Sequence, residues 1–342
     1  MFESFNAPTR PNWVLRIVLA VVSLVLGAGI ASLLRMTQMP LRSCRGPLPS
    51  LSSEQSQLAG QLAAHVRNLS VTIGERNIHR LGSLPATTEY LRRCLTQSGY
   101  SVTDRSYEVD GQVVSNLEAE LAGREGSAGV VVVGAHYDSV AGTVGADDNA
   151  TGVAATLELA RMLQGNKHRR NIRFVFFVNE EPPYFQTEQM GSLVYARQLR
   201  SDSVPVSAMI SLEMLGFYSD APGSQRYPAI LSLFYPKRGD FIGFVGNTES
   251  RSLVRRAIRK FRESAAFPSE GVAAPASLPG IGWSDQWSFW QEGYPAIMIT
   301  DTALFRNPYY HTPRDTSDKI DFDRMARVVE QLKGVVEGLA NG

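Results

Sequence analysis

Four consecutive valines, Val130-Val131-Val132-Val133, constrain this chain more than any other feature. β-Branched side chains favour extended backbone, and an apolar run with no polar alternation fits a strand covered on both faces. Ile172 to Val178, Ala208 to Leu212 and Ala296 to Thr300 repeat the pattern. Helical spacing separates or follows these runs at 150 to 164, 193 to 199, 253 to 261 and 322 to 339. Upstream, 54 to 80 and 86 to 98 are also helical in spacing, and Ser101 to Val109 and Gln112 to Leu121 are strand-like. Alternating strands and helices predict an α/β sheet with helices on both faces. Residues 216 to 247, rich in Gly, Pro and Tyr, read as an insertion near one end of the sheet, either a wall of a pocket or a surface hairpin.

The N-terminal part follows a different rule. Ile17 to Leu34 holds eighteen uncharged, mostly apolar residues, the lower end of what spans a bilayer, with Trp13 where an interfacial aromatic is expected. A cleaved signal peptide normally has a shorter apolar core and a small-x-small site, which Ala28-Gly29-Ile30-Ala31 matches loosely. A retained anchor is the preferred reading. The expected organisation is a tail over 1–12, a transmembrane anchor over 13–35, a proline-containing stalk over 36–50 and a folded domain over 51–342. Lys plus Arg number 34 against 33 Asp plus Glu, so no basic excess favours nucleic acid as a partner.

Chemistry is expected just beyond the carboxyl ends of buried strands in such a sheet. There the chain places His136 and Asp138, then Asp147-Asp148-Asn149 at the start of a helix, Glu180-Glu181, Glu213 and, after a loop, His311. A carboxylate at a helix start is ordinary capping, but two histidines and several carboxylates at one sheet edge are not explained that way. With only Cys44 and Cys94 in the chain, a metal has to use nitrogen and oxygen donors, a set suited to zinc. His136, Asp147, Glu181, Glu213 and His311 supply the five ligands that two zinc ions sharing one carboxylate require. Serine-hydrolase chemistry is disfavoured, because no serine has glycine at both −2 and +2, and His-Glu-x-x-His is absent.

These residues lie in Gly134-Ala135-His136-Tyr137-Asp138-Ser139, Gly145-Ala146-Asp147-Asp148-Asn149-Ala150-Thr151-Gly152, Asn179-Glu180-Glu181 and Tyr310-His311-Thr312-Pro313-Arg314-Asp315-Thr316. In that order they resemble the co-catalytic di-zinc aminopeptidases related to bacterial secreted leucyl aminopeptidases, glutamate carboxypeptidase and glutaminyl cyclases. The resemblance runs from about Leu81 to Leu339. It implies a three-layer α/β/α fold on a mixed, mostly parallel sheet. It implies two zinc ions, one held by His136, Asp147 and Glu213 and the other by Asp147, Glu181 and His311, with Asp147 as the bridge. Glu213 stands where the best-known relatives more often carry Asp.

The same resemblance makes Glu180 the general base and Tyr310 a donor to the developing oxyanion. Asp138 is expected to orient the His136 ring, Asp315 to support His311, and Asp285 to lie behind the site. The implied activity is hydrolysis of N-terminal residues from peptides, with the catalytic domain outside the cytoplasm and membrane attachment through the anchor. Two other readings remain: a glutaminyl cyclase-like aminoacyltransferase, and an inactive peptidase-like receptor. Cys44 and Cys94 are open to pairing in an oxidising compartment.

Overall fold

The computed structural model describes residues 12–125, 128–228, 231–264 and 266–342. Eight strands form one sheet: β1 (Val102–Val109), β2 (Gln112–Leu121), β3 (Val130–His136), β4 (Asn171–Phe177), β5 (Val206–Glu213), β6 (Ile242–Gly246), β7 (Ser269–Ala273) and β8 (Ala296–Thr300). Their order is β1-β2-β4-β3-β5-β8-β6-β7. The central run β4-β3-β5-β8 is parallel, as is the outer pair β6-β7, while β1-β2, β2-β4 and β6-β8 are antiparallel. The sheet is therefore mixed and mostly parallel.

The valine run shows why both faces are covered. Val131 and Val133 point into one apolar core and Val130 and Val132 into another, since successive strand side chains alternate faces. The first core is closed by α2 (Ser53–Arg67), α3 (Ser83–Gln97), α4 (Gly152–Leu163), α6 (Arg251–Glu263) and α8 (Phe322–Asn341). The second is closed by α5 (Gly191–Ser201) and α7 (Gln286–Gln291). This is the expected three-layer α/β/α arrangement.

Apart from the helical spacing read over 54 to 80, which in the structure ends at Ile73, the sequence reading differs from the structure in two places. β6 belongs to the main sheet, so the stretch taken as an insertion over 216 to 247 ends in a core strand. Neither β6 nor β7 shows a long apolar run, because each has five residues and contains glycine. Gly271 in β7 is required by packing, since a Cβ there would meet the Met39 side chain at 2.9 Å. The second difference concerns 36–50, expected as a free stalk. It lies along the domain: Arg262 donates to the Pro40 and Leu41 carbonyls at 3.1 Å each, the Ser269 amide donates to Ser43 Oγ at 2.9 Å, and Arg327 donates to the Pro49 carbonyl.

Ahead of it, α1 (Asn12–Thr37) is long and apolar enough to cross a membrane. Its residues from Trp13 to Ser32 are exposed, and burial against the domain begins only at Leu33. Cys44 and Cys94 are unpaired.

Candidate metal centre

The carboxyl end of β3 places His136 in a fully enclosed position, and the loop after it is held from behind by Arg76. That guanidinium is completely buried. It donates to the carbonyls of Tyr137 (2.8 Å), Val144 (2.7 Å) and Gly145 (2.9 Å), which fixes the loop from Tyr137 to Gly145. Arg76 stands within the stretch over 54 to 80 whose spacing reads as helical, and nothing in the sequence marks it as part of the site.

Asp148 occupies the centre. One carboxylate oxygen, Oδ1, lies 3.4 Å from His136 Nε2, and the other, Oδ2, lies 3.2 Å from His311 Nε2. Around this pair, Glu213 Oε2 is 3.3 Å from His136 Nε2 and Glu181 Oε2 is 3.2 Å from His311 Nε2. Glu180 Oε2 approaches His136 Nε2 at 3.8 Å. Donor atoms fall into two groups, His136 with Glu180 and Glu213, and His136 with Asp148 and Glu181, each within 4.8 Å.

This geometry corrects one expectation. Asp147, read from the sequence as the shared ligand, is turned away from both imidazoles. Its Oδ1 accepts from the Gly216 amide at 2.9 Å and its Oδ2 from Asn307 Nδ2 at 2.8 Å. Burial and the neighbouring Asp301 carboxylate push its pKa well above the usual range. The two neighbours differ because the backbone leaves helical geometry at Asp148 and Asn149, which sends adjacent side chains to opposite sides. A run of two aspartates does not reveal which one faces the centre. Asp315, expected to support His311, instead accepts from the Asp147 and Asp148 amides at 2.9 and 3.1 Å and so sets this turn.

The remaining positions are held as follows. Asp138 accepts from the amides of Glu180 (3.2 Å) and Glu181 (3.1 Å), and its Oδ1 lies 3.5 Å from His136 Nδ1. Glu213 is held by Ser284, whose hydroxyl donates to Oε2 at 2.7 Å. Asp285, next in sequence, is fully enclosed, and burial pushes its carboxyl up to about 7. The Tyr310 ring stacks on His311 with centroids 3.8 Å apart. His311 is the most open member, with its side chain 30% exposed.

The charge balance calls for a cation. Burial raises the carboxyls of Glu180, Glu181 and Glu213, with Glu181 reaching about 7. Burial acts the same way on Asp148, but the two imidazoles against its oxygens hold it below the usual carboxylate range. Both ring nitrogens of His136 are buried without a hydrogen-bond partner. Orphaned imidazole nitrogens facing enclosed carboxylates fit zinc, which binds exactly these donor types, better than they fit a purely structural polar network.

Beside the centre, an apolar cavity of about 110 Å³ runs between β6, β7 and β8. Tyr227, Leu231, Phe241, Met298, Leu304 and Phe305 line it, and it reaches Glu213 and Tyr310. Residues from 216 to 247 thus do wall a pocket.

The family model described as Peptidase family M28 matches residues 116–336. The uncharacterized protein YfbL of Escherichia coli (strain K12) is 39% identical over 290 residues, covering 82% of this chain and 87% of that one. A probable leucine aminopeptidase of Arthroderma otae is 27% identical over 230 residues, covering 63% of this chain and 55% of its own. The chain spans between 50% and 60% of the length of the leucine aminopeptidases it matches. Among solved structures, the Legionella pneumophila LapA aminopeptidase superposes with TM-score 0.66 at 17% identity, covering 87% of this chain and 78% of that one. The zinc aminopeptidase BSAP of Bacillus subtilis gives 0.64 at 15%, covering 81% and 94%. A glutaminyl cyclase of Bacteroides thetaiotaomicron gives 0.61 at 17%, covering 85% and 99%. At these identities the structural likeness speaks for the fold.

Proposed function

The chain belongs to peptidase family M28, and on that premise we propose that it is a membrane-anchored zinc aminopeptidase that removes N-terminal residues from peptides. The observation that carries this reading is Asp148 held between His136 and His311, with Glu213 beside one imidazole and Glu181 beside the other. His136, Asp148 and Glu213 would hold one zinc ion and Asp148, Glu181 and His311 a second. Bound there, the metal supplies Lewis acidity and lowers the pKa of a water at the site.

The remaining steps belong to the protein. Glu180, enclosed and 3.8 Å from His136 Nε2, takes the proton of the attacking water and delivers it to the departing amine. Asp138, with Oδ1 3.5 Å from His136 Nδ1, sets the orientation of the ring so that Nε2 is left to act as a ligand. Tyr310 has its pKa raised by burial and by nearby carboxylates, so its hydroxyl stays protonated and can donate to the developing oxyanion.

The pocket lining favours amine over carboxylate recognition. Its described lining includes Glu213 and Glu270 and no Lys or Arg. Arg306 is buried, donating to Gln225 at 2.8 Å and to the Phe217 carbonyl at 3.2 Å, and Arg314 lies over Tyr309. The bare length of α1 from Trp13 to Ser32 supports a membrane span.

Two substitutions separate the roles. Glu180→Gln keeps the shape and every proposed ligand, so zinc content is expected to persist while hydrolysis of aminoacyl substrates falls by about 10² to 10⁴. Glu181→Ala removes a ligand, and zinc content is expected to fall with activity. Near-normal turnover in the first, or two tightly bound zinc ions in the second, would overturn the assignment. Cyclisation of N-terminal glutamine without peptide hydrolysis would replace aminopeptidase by cyclase.

A further inference from the structure

The end of α1 does not lead into a loose tether. Met36 and Tyr235 pack in one apolar cluster with Val272 and Ile281, and Met39 covers Gly271. The Tyr235 hydroxyl donates to the Gly271 carbonyl at 2.7 Å, so the segment 231–238 and the end of α1 meet on the same edge strand, β7. From α6, Arg251 donates to the Arg35 carbonyl at 2.7 Å and Arg255 to the Gln38 carbonyl. Any lipid surface crossed by α1 therefore lies close to this side of the domain.

What this side presents fits such a surface. Leu233 and Phe234, next to Tyr235, are 79% and 40% exposed and do not line the apolar cavity. Lys237 and Arg238 follow and are exposed. Among the described residues, Arg35, Arg251 and Arg255 have no carboxylate within ion-pair distance, and neither have Lys237 and Arg238. Adjacent exposed apolar side chains beside unpaired cations are the composition of an interfacial contact, in which rings and aliphatic chains enter the acyl boundary and cations meet phosphate. Val113, equally exposed at 75%, sits alone in the hairpin at the opposite edge of the sheet and needs no such account.

We propose that the domain is seated on an anionic lipid surface through Leu233, Phe234, Lys237 and Arg238 together with Arg35, Arg251 and Arg255, so that the β7 edge and the adjacent pocket are held at the membrane. This rests on the reading of α1 as a membrane span. The seat restricts how far the pocket stands from the bilayer and favours peptide ends that arrive along its surface.

The test uses the full chain, one copy per lipid nanodisc, with Cys44→Ser and Cys94→Ser and a single environment-sensitive label introduced by Leu233→Cys, Phe234→Cys or Val113→Cys. Quenching by spin-labelled lipid near the headgroup is expected to be at least about threefold stronger at 233 and 234 than at 113 in discs containing phosphatidylglycerol. It is expected to weaken at least twofold in pure phosphatidylcholine and on adding Lys237→Glu with Arg238→Glu. Equal quenching at 233, 234 and 113 in a chain that resists alkaline extraction from membranes overturns the seat while leaving the anchor intact. Release of the chain by alkaline extraction overturns the anchor itself. Equal quenching in the two lipids, or no effect of the charge reversals, overturns the electrostatic part.

Discussion

The centre of the sheet and its β7 side are built on opposite principles. Over β3, β4 and β5 the chain concentrates buried carboxylates, several with assigned partners: Asp148 between two imidazoles, Asp138 on two amides, Asp315 on two more. Over β6, β7 and β8 it concentrates apolar side chains around an open cavity. In the first region a misplaced proton or oxygen leaves an uncompensated charge in a low-dielectric setting, which costs several kcal/mol. In the second, one methylene changes affinity by about 1 to 3 kcal/mol. Chemistry is therefore expected to be intolerant of substitution, and selection among substrates tolerant.

The largest expected effect tests two neighbours within the first region. Asp148→Asn removes the proposed shared ligand, so zinc content is expected to collapse and activity to fall below about 10⁻³ of the parent. Asp147→Asn alters a carboxyl that burial and Asp301 already bias towards its neutral form, so zinc content should be retained. Metal analysis of both purified variants decides between them. If Asp147→Asn were the one to lose zinc, the position of the bridge would revert to the neighbour and the account of this turn would fail.

A smaller effect belongs to the second region. Leu304 lines the cavity and is only half-buried, so Leu304→Trp can fill space without overpacking the sheet. Turnover of an alanyl substrate should change little, while kcat/KM for a leucyl or phenylalanyl substrate should fall by about 10-fold or more. A parallel loss on all three substrates would mean that the cavity does not receive the cleaved side chain.

The same contrast explains what could be read from the sequence. Val130 to Val133, the helical spacing around 150 to 164 and the histidines and carboxylates after the strands locate the sheet and its working edge, because burial and ligation restrict residue type strongly. The exact carboxylate does not follow, since Asp147 and Asp148 are chemically identical and only the backbone dihedrals at Asp148 and Asn149 decide which faces inward. Arg76 was illegible for a related reason: its five hydrogen bonds go to backbone carbonyls, which leave no trace in residue identity. β6 and β7 were obscured by their shortness and by Gly243, Gly246 and Gly271. The docking of 36–50 along α6 and β7 is likewise written mostly in carbonyl groups.

The smallest expected effect lies outside both regions and isolates the pH response of the scaffold from that of the centre. His65 on α2 has its Nδ1 2.6 Å from the Tyr90 hydroxyl and its Nε2 3.1 Å from Glu158 Oε1, and both ring nitrogens can donate only when the ring is protonated. Burial alone would lower its pKa, but hydrogen bonds with Cys94 and Glu158 outweigh that and raise it to about 9. A raised folded pKa means the protonated ring stabilises the fold. That contribution is complete below the unfolded value of 6.5 and is lost as pH rises through about 9. His65→Gln should therefore cost about 1 to 2 kcal/mol at pH 6, or a few degrees in Tm, and progressively less towards pH 10. Thermal unfolding of the two proteins across this range reads the difference directly. A Tm gap that stayed constant with pH would show that the ring is neutral throughout and that the Glu158 contact is an ordinary hydrogen bond.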